Sequence, residues 1–137
     1  MHTLNPEDLP QPAGPYSQAT LVRGAGEWLH VSGQVGIDLH GVAPEGIEAQ
    51  AELAWGNLLR ALRSVGMGME HVVKTTTYLV DRADSAAMRP IRTRYLGDNR
   101  PASTLVLVAG LLDAAWRIEV EAVAFRPDPV APADMGG

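Results

Sequence analysis

Two carboxylates, Glu119 and Glu121, interrupt an apolar run at residues 118–125, near the end of the 137-residue chain. Residues two apart on a β-strand point to the same face, about 7 Å from each other. Because burying an unpartnered carboxylate is costly, such a pair needs either a partner or a function. The spacing therefore indicates a shared polar pocket or a cleft between subunits. An ordinary half-exposed strand, with the acids in solvent or paired with Arg117, is the alternative.

A group of arginines offers a second kind of chemistry. Four of them lie on or just after a predicted helix: Arg89, Arg92, Arg94 and Arg100. A guanidinium can bind a carboxylate or a phosphate through two parallel hydrogen bonds. The same cluster is also typical of a solvated helix face, so both interpretations stay open at this point.

Other catalytic chemistries find no support in the sequence. The absence of cysteine excludes disulfides, thiolate nucleophiles and thiolate metal sites. The four histidines have no metal-ligand spacing, and neither a serine-hydrolase elbow nor a glycine-rich phosphate or dinucleotide loop occurs. We therefore expect no metal site, phosphate loop or dinucleotide site.

Composition limits the possible partners. Hydrophobic residues make up 46% of the chain and charged residues 20%, which is ordinary for one globular domain. The formal net charge of −5 argues against nucleic-acid binding, which needs a basic surface. No signal-peptide pattern is visible, and no apolar run reaches the roughly 20 residues that span a bilayer. We expect a cytoplasmic protein that binds neither nucleic acid nor membrane.

Hydrophobic periodicity predicts the elements that must position these residues. Helices are expected at residues 47–65 and 85–96, and strands at 19–23, 28–35, 72–80, 104–109 and 118–125. A glycine turn at residues 24–26 favours pairing of the first two strands as a hairpin. Residues 1–13 should form an extended N-terminal segment, residues 14–126 one domain, and residues 127–137 a disordered tail rich in proline and glycine.

This order of elements predicts an α+β fold, with two helices on one face of a mixed or antiparallel sheet. The last two strands are apolar on both faces, yet the helices can cover only one. An uncovered apolar sheet face associates with another surface. We therefore predict a homo-oligomer.

Five blocks of the sequence, taken together and in this order, resemble a known family. They are G-P-Y-S-Q-A at 14–19, V-S-G-Q-V at 31–35, V-V-K-T-T-T-Y-L-V-D at 72–81, R-P-A-S-T at 100–104 and I-E-V-E-A-V-A at 118–124. The family is that of the RidA/YjgF imine deaminases, also labelled L-PSP endoribonucleases, and the resemblance covers about residues 8–126. It implies a chorismate-mutase-like fold and a homotrimer with active sites in clefts between subunits. It also implies hydrolysis of reactive enamines and imines to 2-oxo acids and ammonia, without a cofactor.

The resemblance assigns roles to five positions. Tyr16 matches the tyrosine that lines the family cleft, and Ser32 and Gly33 match a segment whose backbone contacts substrate. Glu119 matches the glutamate that holds or activates the attacking water. Glu121 matches a second acid, which is more often structural.

One departure from the family pattern bears on substrate binding. Ser103 stands where the family has the arginine that clamps the substrate carboxylate, and Leu105 replaces a common cysteine. Losing such a clamp weakens binding by at least about 10- to 100-fold unless another cation substitutes. Arg89, at the position of a frequent asparagine in the cleft, is the expected substitute, with Arg117 second.

Two functions are therefore predicted from the sequence. The first is a cofactor-independent hydrolase of the RidA type, acting on small enamine, imine or related intermediates. The alternative is a non-catalytic or regulatory trimer that binds small metabolites.

Overall fold

Residues 1–129 are described by a computed structural model, in which they form two sheets and two α-helices. The strands are β1 (His2–Leu4), β2 (Ala19–Leu21), β3 (Gly26–Val35), β4 (Val72–Leu79), β5 (Ala102–Leu107) and β6 (Ile118–Pro127); the helices are α1 (Ile47–Arg63) and α2 (Asp84–Leu96). A 3-10 turn, Met69–His71, leads into β4. The tail predicted to be disordered lies outside the described residues from position 130 onward, and its first residue, Pro127, ends β6.

The main sheet has the strand order β3-β6-β4-β5. Strand β6 runs antiparallel to both of its neighbours, whereas β4 and β5 are parallel. A parallel pair needs a crossover connection, and α2 provides it. The predicted α+β fold, with two helices on a mixed sheet, is confirmed.

Both helices pack on the same face of the sheet. Helix α1 has an apolar stripe that includes Ala51, Trp55 and Leu58, each fully buried. Residues three and four apart lie on one side of a helix, so this stripe faces the strands. Its core partners include Ile118 and Val120 of β6. Burial of these side chains supplies most of the apolar core.

The predicted hairpin of the first two strands is wrong. Strand β2 pairs instead with β1, with Leu4 opposite Ala19, and β3 pairs with β6. Side-chain bonds hold β2 in this place: Thr20 Oγ1 donates to the carbonyl of Val73 at 2.7 Å. The long apolar strand β6 is the better partner for β3, because both strands have ten residues and pair along most of their length on either side of a bulge.

Backbone pairing shows which side chains share a face, because paired residues point the same way and successive residues alternate. The helix-covered face carries, in its strands, Thr75, Thr77, Ser103, Leu105, Val120 and Ala122. The opposite face, called here the open face, carries Thr76, Tyr78, Val106, Glu119 and Glu121. The predicted common orientation of the two glutamates is thus confirmed.

The open face is not covered by any helix of residues 1–129. Trp28 at the start of β3 leaves 53% of its surface exposed, and its ring packs against Phe125 with 4.8 Å between centroids. Val106 is also exposed. No helix in residues 1–129 has the length and apolar character needed to cross a bilayer.

Candidate functional site

A cavity of about 580 Å³ lies between α2, the edge strand β5 and residues 13–18. A cavity of this volume can hold a small metabolite. Its lining consists of Ala13, Gly14, Pro15, Tyr16, Gln18, Arg89, Arg92, Ser103 and Leu105. Four of the residues predicted from sequence, Tyr16, Arg89, Ser103 and Leu105, therefore meet at one place.

The segment bearing Tyr16 is fixed along the edge of the main sheet. The Ser17 backbone N–H donates to the Pro101 carbonyl at 3.1 Å, and Ser17 forms a parallel bridge with Ala102. Next to it, Gln18 Nε2 donates to the carbonyl of Pro10 at 2.7 Å. These bonds hold the proline-rich N-terminal segment against the domain, so that its end forms one wall of the cavity.

The opposite wall comes from β5. Ser103 and Leu105 both point to the helix-covered face, since they pair with Thr75 and Thr77 of β4. The Thr75 hydroxyl donates to Ser103 Oγ at 3.2 Å, and Leu105 packs against the core. Ser103 thus presents a neutral hydroxyl at the cavity.

Arg92 also lines this site, although the sequence indicated it only as a member of the arginine cluster and not as a cleft residue. Its side chain is only 6% exposed, and its Nε has no hydrogen-bond partner among residues 1–129. Burial lowers the pKa of Arg92, and the charge of Arg89 lowers it further, whereas Tyr16 acts in the opposite direction. The interpretation of the arginine cluster as a solvated face is therefore wrong for Arg92.

A signal for Arg92 was present in the sequence. Arg92 lies in the buried stripe of α2, together with Met88, Ile91 and Leu96. An arginine at a stripe position of an amphipathic helix is rarely fully buried without a partner. Its spacing of three from Arg89 also places the two guanidinium groups on neighbouring positions of one helix face.

The other arginines near α2 have partners. Arg94 pairs with Glu52 of α1, and Arg100 donates to the carbonyls of Gly97 and Asn99. No ion pair of residues 1–129 involves Arg89 or Arg92. Arg89 is exposed at the cavity, in agreement with its predicted place in the cleft.

Arg117 is not available as a second substitute cation, contrary to prediction. Its Nη2 and Nε donate to the two carboxylate oxygens of Asp84 at 2.6 and 3.0 Å. Asp84 is the first residue of α2, where it lies in the first turn of the helix, and its side chain is buried by this pair. Because the guanidinium is directed towards α2, Arg117 neither pairs with Glu119 nor faces a ligand beside it.

Glu119 and Gly33 lie together on the open face. The pairing of β3 with β6 shifts between Val31 and Gln34, which leaves Ser32 and Gly33 in a bulge, both exposed. Bulges often redirect the chain next to functional sites. A Cβ atom placed on Gly33 would lie 2.3 Å from Glu119 Oε1, so the absence of a side chain there is what admits the carboxylate.

The two glutamates have different surroundings. The Tyr78 hydroxyl donates a short hydrogen bond to Glu121, and this bond, followed by burial and by the negative charges of Glu121 and Glu119, raises the pKa of Tyr78. No hydrogen bond or ion pair from residues 1–129 holds the Glu119 carboxylate. Glu121 is therefore held by Tyr78, whereas the Glu119 carboxylate has no such partner among residues 1–129.

The predicted site residues thus form two separate groups in one chain. Tyr16, Arg89, Ser103 and Leu105 line the cavity on the helix-covered side, whereas Ser32, Gly33 and Glu119 lie on the open face. The sheet separates the two groups. Among residues 1–129, no three His, Asp, Glu or Cys side chains cluster as metal ligands would.

The fold and the arginine-lined cavity describe an α+β domain with a pocket of small-molecule size. Residues 6–126 match the sequence profile of the family described as Endoribonuclease L-PSP. Because this match spans nearly the whole chain, the chain belongs to that family, and the predicted RidA/YjgF membership is confirmed.

Individual relatives agree with this assignment. The chain is 34% identical over 122 residues to a RutC family protein of Pyrococcus horikoshii, covering 88% of this chain and 94% of that protein. A conserved Rid family protein from Yersinia pestis has a similar structure, with a TM-score of 0.81 at 30% identity over 91% of this chain and 98% of that one. RidA from an Antarctic Psychrobacter gives a TM-score of 0.69 at 29% identity over 92% and 100%.

Proposed function

We propose that this chain is a cofactor-independent hydrolase of the RidA type, which converts small enamine or imine intermediates into 2-oxo acids and ammonia. The observation that carries the proposal is the buried Arg92, whose Nε has no hydrogen-bond partner among residues 1–129, in a cavity shared with Tyr16, Arg89 and Ser103. A buried cation with no partner is a costly feature of a folded chain, and a carboxylate ligand would offset that cost.

The cavity supplies the substrate-binding half of the reaction. Arg92 would bind the carboxylate of a 2-imino acid and so take the role of the arginine that Ser103 replaces, with Arg89 at the outer end of the same cavity. The Tyr16 hydroxyl and the Ser103 hydroxyl can accept or donate hydrogen bonds to the rest of the ligand. Leu105 offers an apolar contact for a short side chain.

Glu119 supplies the hydrolytic half. Its carboxylate can remove a proton from a water molecule as the water oxygen adds to the imine carbon. The resulting tetrahedral carbon carries one hydroxyl and one amino group. Glu119 returns the water proton to the imine nitrogen, which thereby becomes the amino group. Transfer of the hydroxyl proton to that amino group then breaks the carbon–nitrogen bond, so that ammonia leaves and a carbonyl group forms. One water is consumed, and no oxidant or reductant is needed.

The two halves lie on opposite sides of the sheet in one chain, so the complete site requires a second copy. The cavity opens at the edge strand β5, and the uncovered open face carries Glu119 and Gly33. We therefore place the active site between the cavity of one subunit and the open face of its neighbour, in a homotrimer. An oligomer would also cover the exposed Trp28 and Val106.

A second function is favoured by the replacement of the family arginine. With Ser103 at that position, the cavity could hold a metabolite without the geometry needed for its hydrolysis. The chain would then be a non-catalytic or regulatory trimer. Both functions use the same cavity, and they differ in what Glu119 does.

An assay of ammonia and 2-oxo acid release from imines generated in situ separates the two. The hydrolase proposal predicts release that is faster than the uncatalysed rate and is lost in Glu119→Gln. Glu48→Gln, at an exposed position in the first turn of α1, is the matched control and should keep full activity. Activity that survives in Glu119→Gln would refute the mechanism, and absence of activity on every imine tried would favour the binding function.

A further inference from the structure

The cavity holds two positive charges and no negative one. Of the nine residues that line it, Arg89 and Arg92 are the charged ones, and no acidic side chain is among them. This is unexpected in a chain whose formal net charge is −5. A single carboxylate would neutralise one of the two guanidinium groups and leave the other without a counter-charge.

The two guanidinium groups lie at different depths. Arg92 is 6% exposed, whereas Arg89 is exposed to solvent at the cavity. Since they are three residues apart on α2, their Cβ atoms are about 5–6 Å from each other. Two cations arranged in this way fit two acid groups separated by a short chain better than they fit two charges on one centre.

The inner guanidinium is directed towards the ligand space. A methyl group placed on Gly14, in the cavity wall, would lie 4.0 Å from Arg92 Nη2 and 3.8 Å from the Tyr16 ring. The end of the Arg92 side chain therefore reaches the same wall as Tyr16. Its Nε remains without a partner, although an acid elsewhere binds each of Arg94 and Arg117.

We infer that the cavity selects a small ligand with two acid groups, with Arg92 binding the inner carboxylate and Arg89 the outer one. In reaction terms, the preferred substrate would be the enamine or imine of a short dicarboxylic acid. Arg89 is then the specificity-determining residue. The inference rests on the proposed function only in taking this cavity as the ligand site, and it concerns binding whether or not hydrolysis follows.

The test compares stable acids of matched size by isothermal titration calorimetry on the full chain. Succinate is the diacid probe, butyrate the monoacid of equal chain length, and inorganic phosphate a compact doubly charged anion. We expect succinate to bind at least about ten-fold more tightly than butyrate, the gain from one charge-assisted contact. Phosphate should bind more weakly than succinate, because its charges lie on one centre.

Three variants assign the two contacts. Arg89→Gln should remove the preference for succinate while leaving butyrate affinity within about two-fold, since the outer contact is lost and the inner one kept. Arg92→Gln should weaken both acids by about ten-fold or more. Arg63→Gln, at an exposed position in the last turn of α1, should match the unmodified protein. Circular dichroism on each variant checks that the fold is retained.

Equal affinity for succinate and butyrate would overturn the inference, as would an unchanged preference in Arg89→Gln. Phosphate binding as tight as that of succinate would overturn the assignment to two separate carboxylates. These outcomes are distinct from failure of the proposed function. A protein that prefers succinate but releases no ammonia from any imine supports the inference and refutes the hydrolase.

Discussion

Replacing Arg92 with methionine should make the protein more stable and less able to bind an anion. Methionine keeps an unbranched side chain of similar length and removes the guanidinium. Arg92 is 6% exposed and close to Arg89, and its Nε has no hydrogen-bond partner among residues 1–129. Arg92→Met therefore removes the cost of burying an unpaired donor in the folded state. It also removes the main cation that would bind the ligand.

The size of the gain follows from the buried nitrogen. An unsatisfied buried donor costs about 1–3 kcal/mol, and more when it is charged. We expect Arg92→Met to raise the free energy of unfolding by about 1–3 kcal/mol, at the low end because Arg92 Nη2 lies at the cavity wall beside Gly14. For a chain of this length, each kcal/mol corresponds to about 4 °C in Tm.

Arg117→Met is the matched control with the opposite sign. Arg117 is also an arginine beside α2, but its guanidinium neutralises Asp84, whose side chain is 5% exposed. Its removal leaves a buried carboxylate without a partner and should lower the free energy of unfolding by about 3 kcal/mol. The comparison separates the effect of an unpartnered cation from that of a paired one.

Both variants are measured by urea unfolding at neutral pH without added anions, with succinate titration as the binding assay. The reasoning predicts that Arg92→Met unfolds at a higher urea midpoint, that the slope of the free energy of unfolding against urea concentration is unchanged, and that succinate binding is lost. If Arg92→Met unfolds at a lower urea concentration than the unmodified protein, Arg92 contributes favourable packing or contacts that outweigh its burial, and the ligand role loses its main support.

Three further outcomes are expected. Gly33→Ala should fold but lose about 100-fold in activity in the imine assay, because its Cβ would displace Glu119 from a point 2.3 Å away; full activity would show that the carboxylate position does not matter. Adding Ser103→Arg to Arg92→Met should restore anion binding, measured by calorimetry, because it moves the cation from α2 to β5. If binding is not restored, an arginine at position 103 cannot do what Arg92 does, and the proposed exchange of roles is contradicted. The pKa of Tyr78 is raised above 10.0, so its contribution to the free energy of unfolding is full below pH 10 and is lost as pH rises through the raised value. The difference in the free energy of unfolding between Tyr78→Phe and the unmodified protein should therefore be constant below pH 10 and shrink only above it. A difference that already shrinks below pH 10 would contradict the raised pKa.

The helices and the order of most strands could be predicted because their signals are local. The α1 stripe repeats every three to four residues, and this period is enough to place the buried face. The helix was expected to end at Val65 but ends at Arg63, and Gly66 turns the chain with a positive φ of 74°. Such boundary differences do not move the site.

Strand pairing was less predictable, since it depends on partners far along the chain. The glycine turn before β3 favoured a local hairpin, but β3 pairs with β6, about 90 residues later. Whether Asp84 caps α2 or binds Arg117 is likewise decided by a residue 33 positions away. No local pattern contains that information.

The candidate site was predicted only in part, because its assembly also depends on residues that are far apart along the chain. Tyr16, Arg89, Ser103 and Leu105 were expected in one cleft, and they line one cavity. Their separation from Glu119 follows from strand register, since Ser103 and Glu119 point to opposite faces of the sheet. Alternation along each strand is readable from sequence, but the face that the helices cover is settled only by packing.

The most direct test of a site shared between subunits is complementation of two inactive chains. Glu119→Gln and Arg92→Gln are co-expressed with different tags, and mixed oligomers are isolated and assayed for imine hydrolysis. In each isolated mixed trimer, one of the three interfaces would join an intact Glu119 open face to an intact Arg92 cavity, so about one third of the full activity should return. If each chain alone is inactive and the mixed oligomers remain inactive as well, the two halves do not meet across a subunit interface, and the account is contradicted.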